Sequence, residues 1–300
     1  MPPQRQESVS MKSKKPYILY IMALLLFGSN GIVASHIHLA SCDIVLLRTM
    51  TGSLLLLFLF RLKRCHFQFP GYWRDCLYIC LSGAAMGAGW MFLFEAYTLT
   101  GVGIASLLYY CGPVIVMALS PLLFKEKLTA VRLIGFAAVL CGVFLINENV
   151  TEKPNTSGIL CGLLSAVMYA FMVMANKKAK HIAGLENALI QLISSFLTVA
   201  AFTAVKNRGI GMRVMPGDWI WILMLGLLNT GIGCYLYFSS IGSLPVQTVA
   251  VCGYIEPLSA VVLSALLLGE TMAPLQILGV ILIIGGAAAG AWIKQDPYGI

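Results

Sequence analysis

The chain has 300 residues, 59% of them hydrophobic and only 11% charged, with a mean hydropathy of +0.87. A soluble domain carries about 25% charged residues, so this composition excludes a water-soluble enzyme or binding module. The formal charge of +8 does not indicate a nucleic-acid partner, because the basic residues stand in short clusters between apolar blocks, the pattern of membrane topology.

The first 16 residues are polar and read as a cytoplasmic tail without fixed structure. Lys12, Lys14 and Lys15 precede an apolar run, an arrangement that also occurs in signal peptides. The run is long enough to cross a bilayer and many more follow, so it is read as a first span that is not cleaved. A crossing helix needs about 20 apolar residues. That length places spans at 17–35, 43–60, 74–96, 102–124, 130–147, 157–176, 186–205, 217–238, 245–268 and 274–293. The connections between them are short. The nine cysteines show no CxxC spacing and mostly fall inside these blocks, so they read as small core hydrophobes.

The second half of the chain repeats the first. Pro113 and Pro257 lie 144 residues apart, and the same offset brings Tyr110 onto Tyr254, Ser120 onto Ser264 and Glu126 onto Glu270. Gly135 and Gly142 fall on Gly279 and Gly286, and Gly87 and Gly89 fall on Gly231 and Gly233. A repeat this long sets the architecture before any residue is given a role. The expected domains are a tail (1–16), a first repeat (17–148), an outer linker (149–156), a second repeat (157–294) and a cytoplasmic end (295–300). Five spans per repeat is an odd number, so the second copy enters the membrane from the opposite side. The fold class is therefore an all-α membrane protein of ten transmembrane helices, arranged as two inverted five-helix repeats. Most of the 20 lysines and arginines then fall on the side of the N-terminus, which places both ends in the cytoplasm.

The motif within each copy runs from an apolar segment through a proline and a glutamate into a glycine-punctuated helix. It reads Tyr110-Cys111-Gly112-Pro113, then Glu126, Gly135 and Gly142; the second copy reads Tyr254-Ile255-Glu256-Pro257, then Glu270, Gly279 and Gly286. This resembles the EamA family of the drug/metabolite transporter superfamily over nearly the whole chain. The resemblance implies a secondary transporter, an exporter of small organic solutes such as amino acids, related metabolites or drugs, working by alternating access. It also implies a central cavity lined mainly by the first, third, fourth, sixth, eighth and ninth spans. It does not imply a substrate. The copies differ at two telling places: Gly112 stands where the second copy has Glu256, and Lys125 where it has Gly269.

Glu256 is the first candidate for substrate binding or proton coupling. It falls near the middle of its span, where an ionisable group is costly unless it faces a cavity or a partner. The alternative is a carboxyl that bonds a neighbouring helix beside Pro257. Pro113 and Pro257 remove a backbone hydrogen bond at matched places, which marks them as hinges or fixed kinks. Tyr110, Tyr254, Trp90, Asn229 and Asn30 each offer a hydrogen bond or an aromatic face on the implied cavity spans, and each is otherwise a packing residue. Arg48 reads as snorkelling to the headgroups or pairing with Asp43, with a substrate carboxylate or Glu256 as the other partners. Gly135/Gly142 and Gly279/Gly286 predict a tight helix seam. His36 and His38 have no further ligands nearby, so no metal and no cofactor is expected.

The expected partners are a small-molecule substrate, membrane lipid and protons, with the chain acting as a monomer or homodimer. The expected location is a bacterial cell membrane. An enzyme would need a nucleophile–base set or a metal motif at membrane depth, and none is present in the sequence. A non-transporting scaffold or sensor is the remaining alternative. The duplicated helix interruptions argue against it, because a scaffold has no need of them.

Overall fold

A computed structural model describes residues 3–124, 130–146, 155–207, 214–268 and 274–292. The acidic positions Glu126 and Glu270 and most of the expected linker lie outside these residues. The described chain is helical: α1 (Pro3–Gly28), α2 (Asn30–Ala34), α3 (Ser41–Leu62), α4 (Trp73–Tyr109), α5 (Cys111–Phe124), α6 (Ala130–Ile146), α7 (Thr156–Lys178) and α8 (Gly184–Asn207). There follow α9 (Asp218–Leu223), a π-helical segment (Met224–Ile232), α10 (Gly233–Ser240) and a 3-10 turn (Ile241–Ser243). The described chain closes with α11 (Val246–Cys252), α12 (Ile255–Leu268) and α13 (Pro274–Trp292). Among the described residues, six stretches are long and apolar enough to cross a membrane: Lys14–Ala34, Ser41–Leu62, Trp73–Thr100, Thr156–Lys178, Gly184–Val205 and Asp218–Ser243. The protein is thus an all-α, multi-pass membrane protein.

Three expectations change. The polar start is not without structure: α1 reaches back to Pro3, through a stretch rich in helix-favouring Gln, Glu, Met and Lys. The connection expected at 97–101 is also absent, since α4 runs unbroken from Trp73 to Tyr109. No proline interrupts it there, and the hydroxyls of Thr98 and Thr100 bond back to the carbonyls of Glu95 (2.8 Å) and Ala96 (2.9 Å). Finally, the helix breaks do not fall at Pro113 and Pro257 but three residues earlier, at Tyr110 and at Gly253–Tyr254. Each proline is the third residue of the helix that follows, α5 or α12. A proline in a first turn costs little, because the N–H it lacks would have no intrahelical partner.

The chain divides into two compact units, each assembled from both halves of the sequence. The first comprises Met1–Ala88 and Met172–Leu244; the second comprises Gly89–Phe171 and Pro245–Ile300. In the first unit α3 packs on α8 and on the π segment, and α1 and α8 pack on α10. Glycines permit the close approaches: Gly83 lies against the Gln191 backbone and Gly87 against that of Ser195. Two buried polar side chains link helices here, Gln191 Nε2 donating to Ser82 Oγ (2.8 Å) and Ser82 Oγ to the Met172 carbonyl (2.7 Å). In hydrocarbon such groups have no water to turn to.

In the second unit α6 lies along α13, and α11 packs on α5 and α13. The predicted glycine seam is present there: a side chain at Gly142 would meet the Gly279 carbonyl and the Ile283 backbone and side chain.

The first unit also holds an unforeseen cap. The chain unwinds through the 3-10 turn before Pro245, which frees the carbonyls of the last helical turn. Lys177 Nζ donates to three carbonyls at this break, Ile241 (3.1 Å) and Gly242 (3.2 Å) in the turn and Leu244 just beyond it. In the first half of the repeat Gly101 stands for Pro245, at an offset of 144, and Ala34 for Lys177, at the offset of 143 that holds earlier in the copies, so the unbroken half has neither the break nor the cap. Lys177→Met removes the cap, and partial exposure lets water replace some of it. The expected cost is about 1–2 kcal/mol, read as a fall in Tm of roughly 2–6 °C; an unchanged Tm would show that water serves these carbonyls equally well.

Candidate functional site

The residues picked from sequence fall into two groups, one in each unit. Asn30 and Asn229 come together in the first. Asn229 is buried in the π segment, and its Nδ2 donates to the Leu26 carbonyl (2.9 Å), Ser29 Oγ (2.8 Å) and Asn30 Oδ1 (3.1 Å). It ties the π segment to the junction of α1 and α2.

Beside it lies a residue that sequence reasoning undervalued. Arg48 does not snorkel: it is 6% exposed, and its Nε donates to Thr230 Oγ1 at 2.8 Å. Thr230 in turn donates to the Leu225 carbonyl five residues back, the π spacing (2.8 Å). Gly52 and Gly226 let α3 and the π segment touch, and a side chain on Gly226 would overlap Thr51.

The π segment has an origin readable in the repeat. Residues 143 apart match before it, Asp75 with Asp218 and Ile79 with Ile222. From Gly87 and Gly231 onward the offset is 144. One extra residue therefore lies between Ile222 and Gly231 in the second copy. A π turn closes its hydrogen bond over one more residue than an α turn, so the Met224–Ile232 segment accommodates the insertion without losing the helix. Asn229 and Thr230 sit inside it. The signal was present in the sequence as a one-residue change of register.

Tyr110, Tyr254, Trp90, Glu256, Pro113 and Pro257 all belong to the second unit. The two helix breaks meet there. Tyr254 is fully buried, and its hydroxyl donates to the carbonyl of Tyr110 at 2.6 Å, the residue at the other break. That carbonyl is one of those a broken helix leaves without an intrahelical partner. The rings of Tyr110 and Tyr254 lie 6.3 Å apart, and Phe136 stands 6.2 Å from Tyr254. Sequence reasoning missed the companions. Tyr109 packs 5.8 Å from Tyr110 and edge-on to Tyr169 at 5.6 Å, while Tyr97 packs with Tyr109 on a core of Leu93, Ala96 and Ala105.

Glu256 is half-buried in the first turn of α12, a favourable place for a carboxylate because the N-terminal N–H groups point outward. It acts electrostatically on both Tyr109 and Tyr110. The structure also explains why this carboxylate is single. A side chain at the matched Gly112 would come within 2.7 Å of the Tyr169 ring and 3.1 Å of the Ala166 carbonyl. Trp90 is half-buried one residue beyond Gly89, which packs against Met168 and Ser165.

Chemically, this second group is a carboxylate among tyrosine rings at a pair of helix breaks. Discontinuous helices with an ionisable residue at membrane depth are the usual means by which solute carriers build a site. The chain belongs to the EamA-like transporter family, whose profile matches residues 14–148 and again 156–289. It is 26% identical over 291 residues to an uncharacterized transporter of Bacillus subtilis (strain 168), YxxF, covering 95% of this chain and 92% of that one. A second transporter of that organism, YetK, is also 26% identical, over 95% and 89% of the two chains. The riboflavin transporter ImpX of Fusobacterium nucleatum is 28% identical over 189 residues, 60% of this chain and 63% of its own. A solved crystal structure superimposes with a TM-score of 0.81 over 94% of this chain and 98% of its own, at 16% identity, a likeness of fold. The three relatives named by sequence are transporters, not enzymes.

Proposed function

We propose that this transporter is a secondary exporter of small organic solutes that carry an amino or other cationic group, amino acids among them, working by alternating access. The observation that carries this reading is Glu256, a half-buried carboxylate within electrostatic reach of Tyr109 and Tyr110 at the meeting of the two helix breaks. Aromatic faces attract cations through the negative face of the ring, and a carboxylate adds charge. The absence of a phosphate-binding loop from the sequence leaves a gradient of substrate or protons as the source of energy. The ten-span inverted repeat, with both ends cytoplasmic, is supported by the duplicated motif and the distribution of Lys and Arg. Pro113 and Pro257 act as hinges at the start of α5 and α12, where the backbone is already interrupted.

The test is a thermal-shift screen of the purified protein against amino acids, amines, neutral nucleosides, riboflavin and organic anions, followed by flux of the best binder into inside-out vesicles. A ligand held by the folded state raises Tm by mass action. Stabilisation by amino or quaternary ammonium compounds, with accumulation in inside-out vesicles, is the expected result. Stabilisation by riboflavin or anions alone would discard the cationic class and keep the transporter. Binding without flux in either direction would favour a sensor.

A further inference from the structure

We infer that the first unit carries two matched proton-responsive sites, one at each end, in which a histidine of one half of the chain holds a largely enclosed aspartate of the other. At one end His38 Nδ1 lies 3.0 Å from Asp218 Oδ1, and the backbone N–H of His38 donates to Asp218 Oδ2 at 3.1 Å. At the other end His181 Nδ1 lies 2.9 Å from Asp75 Oδ2, which also accepts the backbone N–H of His181 (2.7 Å) and of Lys180 (2.9 Å). The bonding plan is the same twice: a loop histidine grips the aspartate at the start of a helix through its ring and its own N–H.

The register is the same as well. His38 and His181 are 143 residues apart, as are Asp75 and Asp218. One turn below each aspartate lies a buried isoleucine, Ile79 or Ile222, in a small apolar core beneath the pair. One core gathers Val33, Ile37, Ile44 and Leu225 around Ile222; the other gathers Ala179 and Ile182 around Ile79. The aspartate side chains are 4% and 13% exposed, while the histidine rings are 69% and 55% exposed. Each carboxylate is thus enclosed, and each imidazole meets solvent.

The two pairs stand at opposite ends of α3, since His38 precedes that helix and Asp75 follows the loop beyond it. On the proposed inverted repeat this puts His38 outside and His181 in the cytoplasm, and the sidedness of the inference rests on that reading. Histidine changes charge in the physiological range, and a charged donor roughly doubles the strength of such a bond. The sign follows from the partners. Below the point where the imidazole takes its proton and above the point where the aspartate loses its own, the pair is an ion pair. As pH rises and the ring becomes neutral, the charge assistance is lost.

Other charged groups share these ends. His36 stacks on Trp221 at 4.1 Å and Asp43 begins α3 at the first end. At the second end Tyr72 stacks on His181 at 4.3 Å, Arg74 lies over Trp73, Lys178 over Tyr78, Lys180 adjoins His181, and Glu186 accepts the N–H groups of Gln68 and Phe69. Only at His38 and His181 is a titrating ring bonded to an enclosed carboxylate among the described residues. Each face of the membrane thereby reports its own acidity to the same unit.

The experiment uses the full chain. Double-mutant cycles in Tm are measured for His38→Gln with Asp218→Asn, and for His181→Gln with Asp75→Asn, at about pH 6 and about pH 8.5. At the lower pH each single variant is expected to lower Tm by about 2–4 °C, and the double by no more than the worse single. At the higher pH the coupling falls to about half, since a neutral ring keeps the bond but not its charge assistance. Coupling that is equal at both pH values, or absent at both, overturns the inference; His36→Gln serves as the control and leaves both cycles unchanged. The protein is then placed in liposomes with inner and outer pH set separately, and amide exchange in 36–40 and 179–183 is compared with the matching glutamine variant at the same pH. Each loop responding to a different compartment supports opposite placement. Both loops responding to one compartment would discard the inverted topology while leaving the proton-responsive pairs in place.

Discussion

Glu256→Gln is expected to abolish concentrative transport while leaving the protein folded. The substitution keeps the shape and the hydrogen-bonding reach of the side chain and removes only its charge. Glu256 is half-buried, in the first turn of α12, and acts on the tyrosines that surround the Tyr110 break. Loss of the charged partner for a cationic solute in such a place costs about 2–3 kcal/mol, roughly 30- to 150-fold in affinity. Flux in proteoliposomes should fall accordingly, and Tm without ligand should move by no more than about 2 °C. If flux survives and Tm falls by many degrees, Glu256 is a packing group and the cationic class fails with it. A pH gradient should also lose its power to drive flux in the variant if protons are the coupling ion. If wild-type flux ignores the pH gradient from the outset, the transporter is a facilitator or an exchanger.

Gly142→Val should be strongly destabilising. A side chain at Gly142 would run into the Gly279 carbonyl, and it would stand 2.8 Å from Ile283 Cγ1 and 3.2 Å from Ile283 N. Backbone atoms cannot turn aside as a flexible side chain does, so α6 and α13 must separate. Overpacking of this kind costs about 2–3 kcal/mol, which corresponds to a fall in Tm of roughly 4–10 °C. Gly285 on α13 is the natural control, since a side chain there would meet nothing within 4 Å. If Gly142→Val and Gly285→Val lower Tm equally, the seam is not what holds these helices together.

Much of the fold was legible because membrane helices announce themselves by composition alone. Every backbone polar group in hydrocarbon must be satisfied within its own segment, so long apolar runs become helices whatever their neighbours. The duplication was likewise readable by register, as were the seam glycines, whose only virtue is the absence of a side chain. The boundary at 97–101 was misplaced for a physical reason. The polar residues there suggest a connection, yet Thr98 and Thr100 satisfy themselves by bonding back along α4. Pro245, one offset away, does impose a break, and Lys177 caps it.

The candidate site was legible only in part. Glu256, Tyr110 and Tyr254 stood out as polar groups in an apolar run beside matched prolines. Tyr109 and Tyr169 did not, because an aromatic residue in a membrane helix is ordinary until its ring is seen against another. Arg48 looked like an interfacial residue by its position along α3. Its burial against Thr230 depends on a π segment that closes around one inserted residue. The His38–Asp218 and His181–Asp75 pairs were beyond reach for the same reason: their partners lie 180 and 106 residues apart. What the amino-acid sequence determined by itself was the helical, membrane-spanning character, the repeat and the unmatched carboxylate Glu256, since these follow from local composition and register. What the tertiary structure alone decided was which polar groups face one another, because hydrogen bonds and ion pairs act over a few ångströms between helices that the chain order leaves far apart.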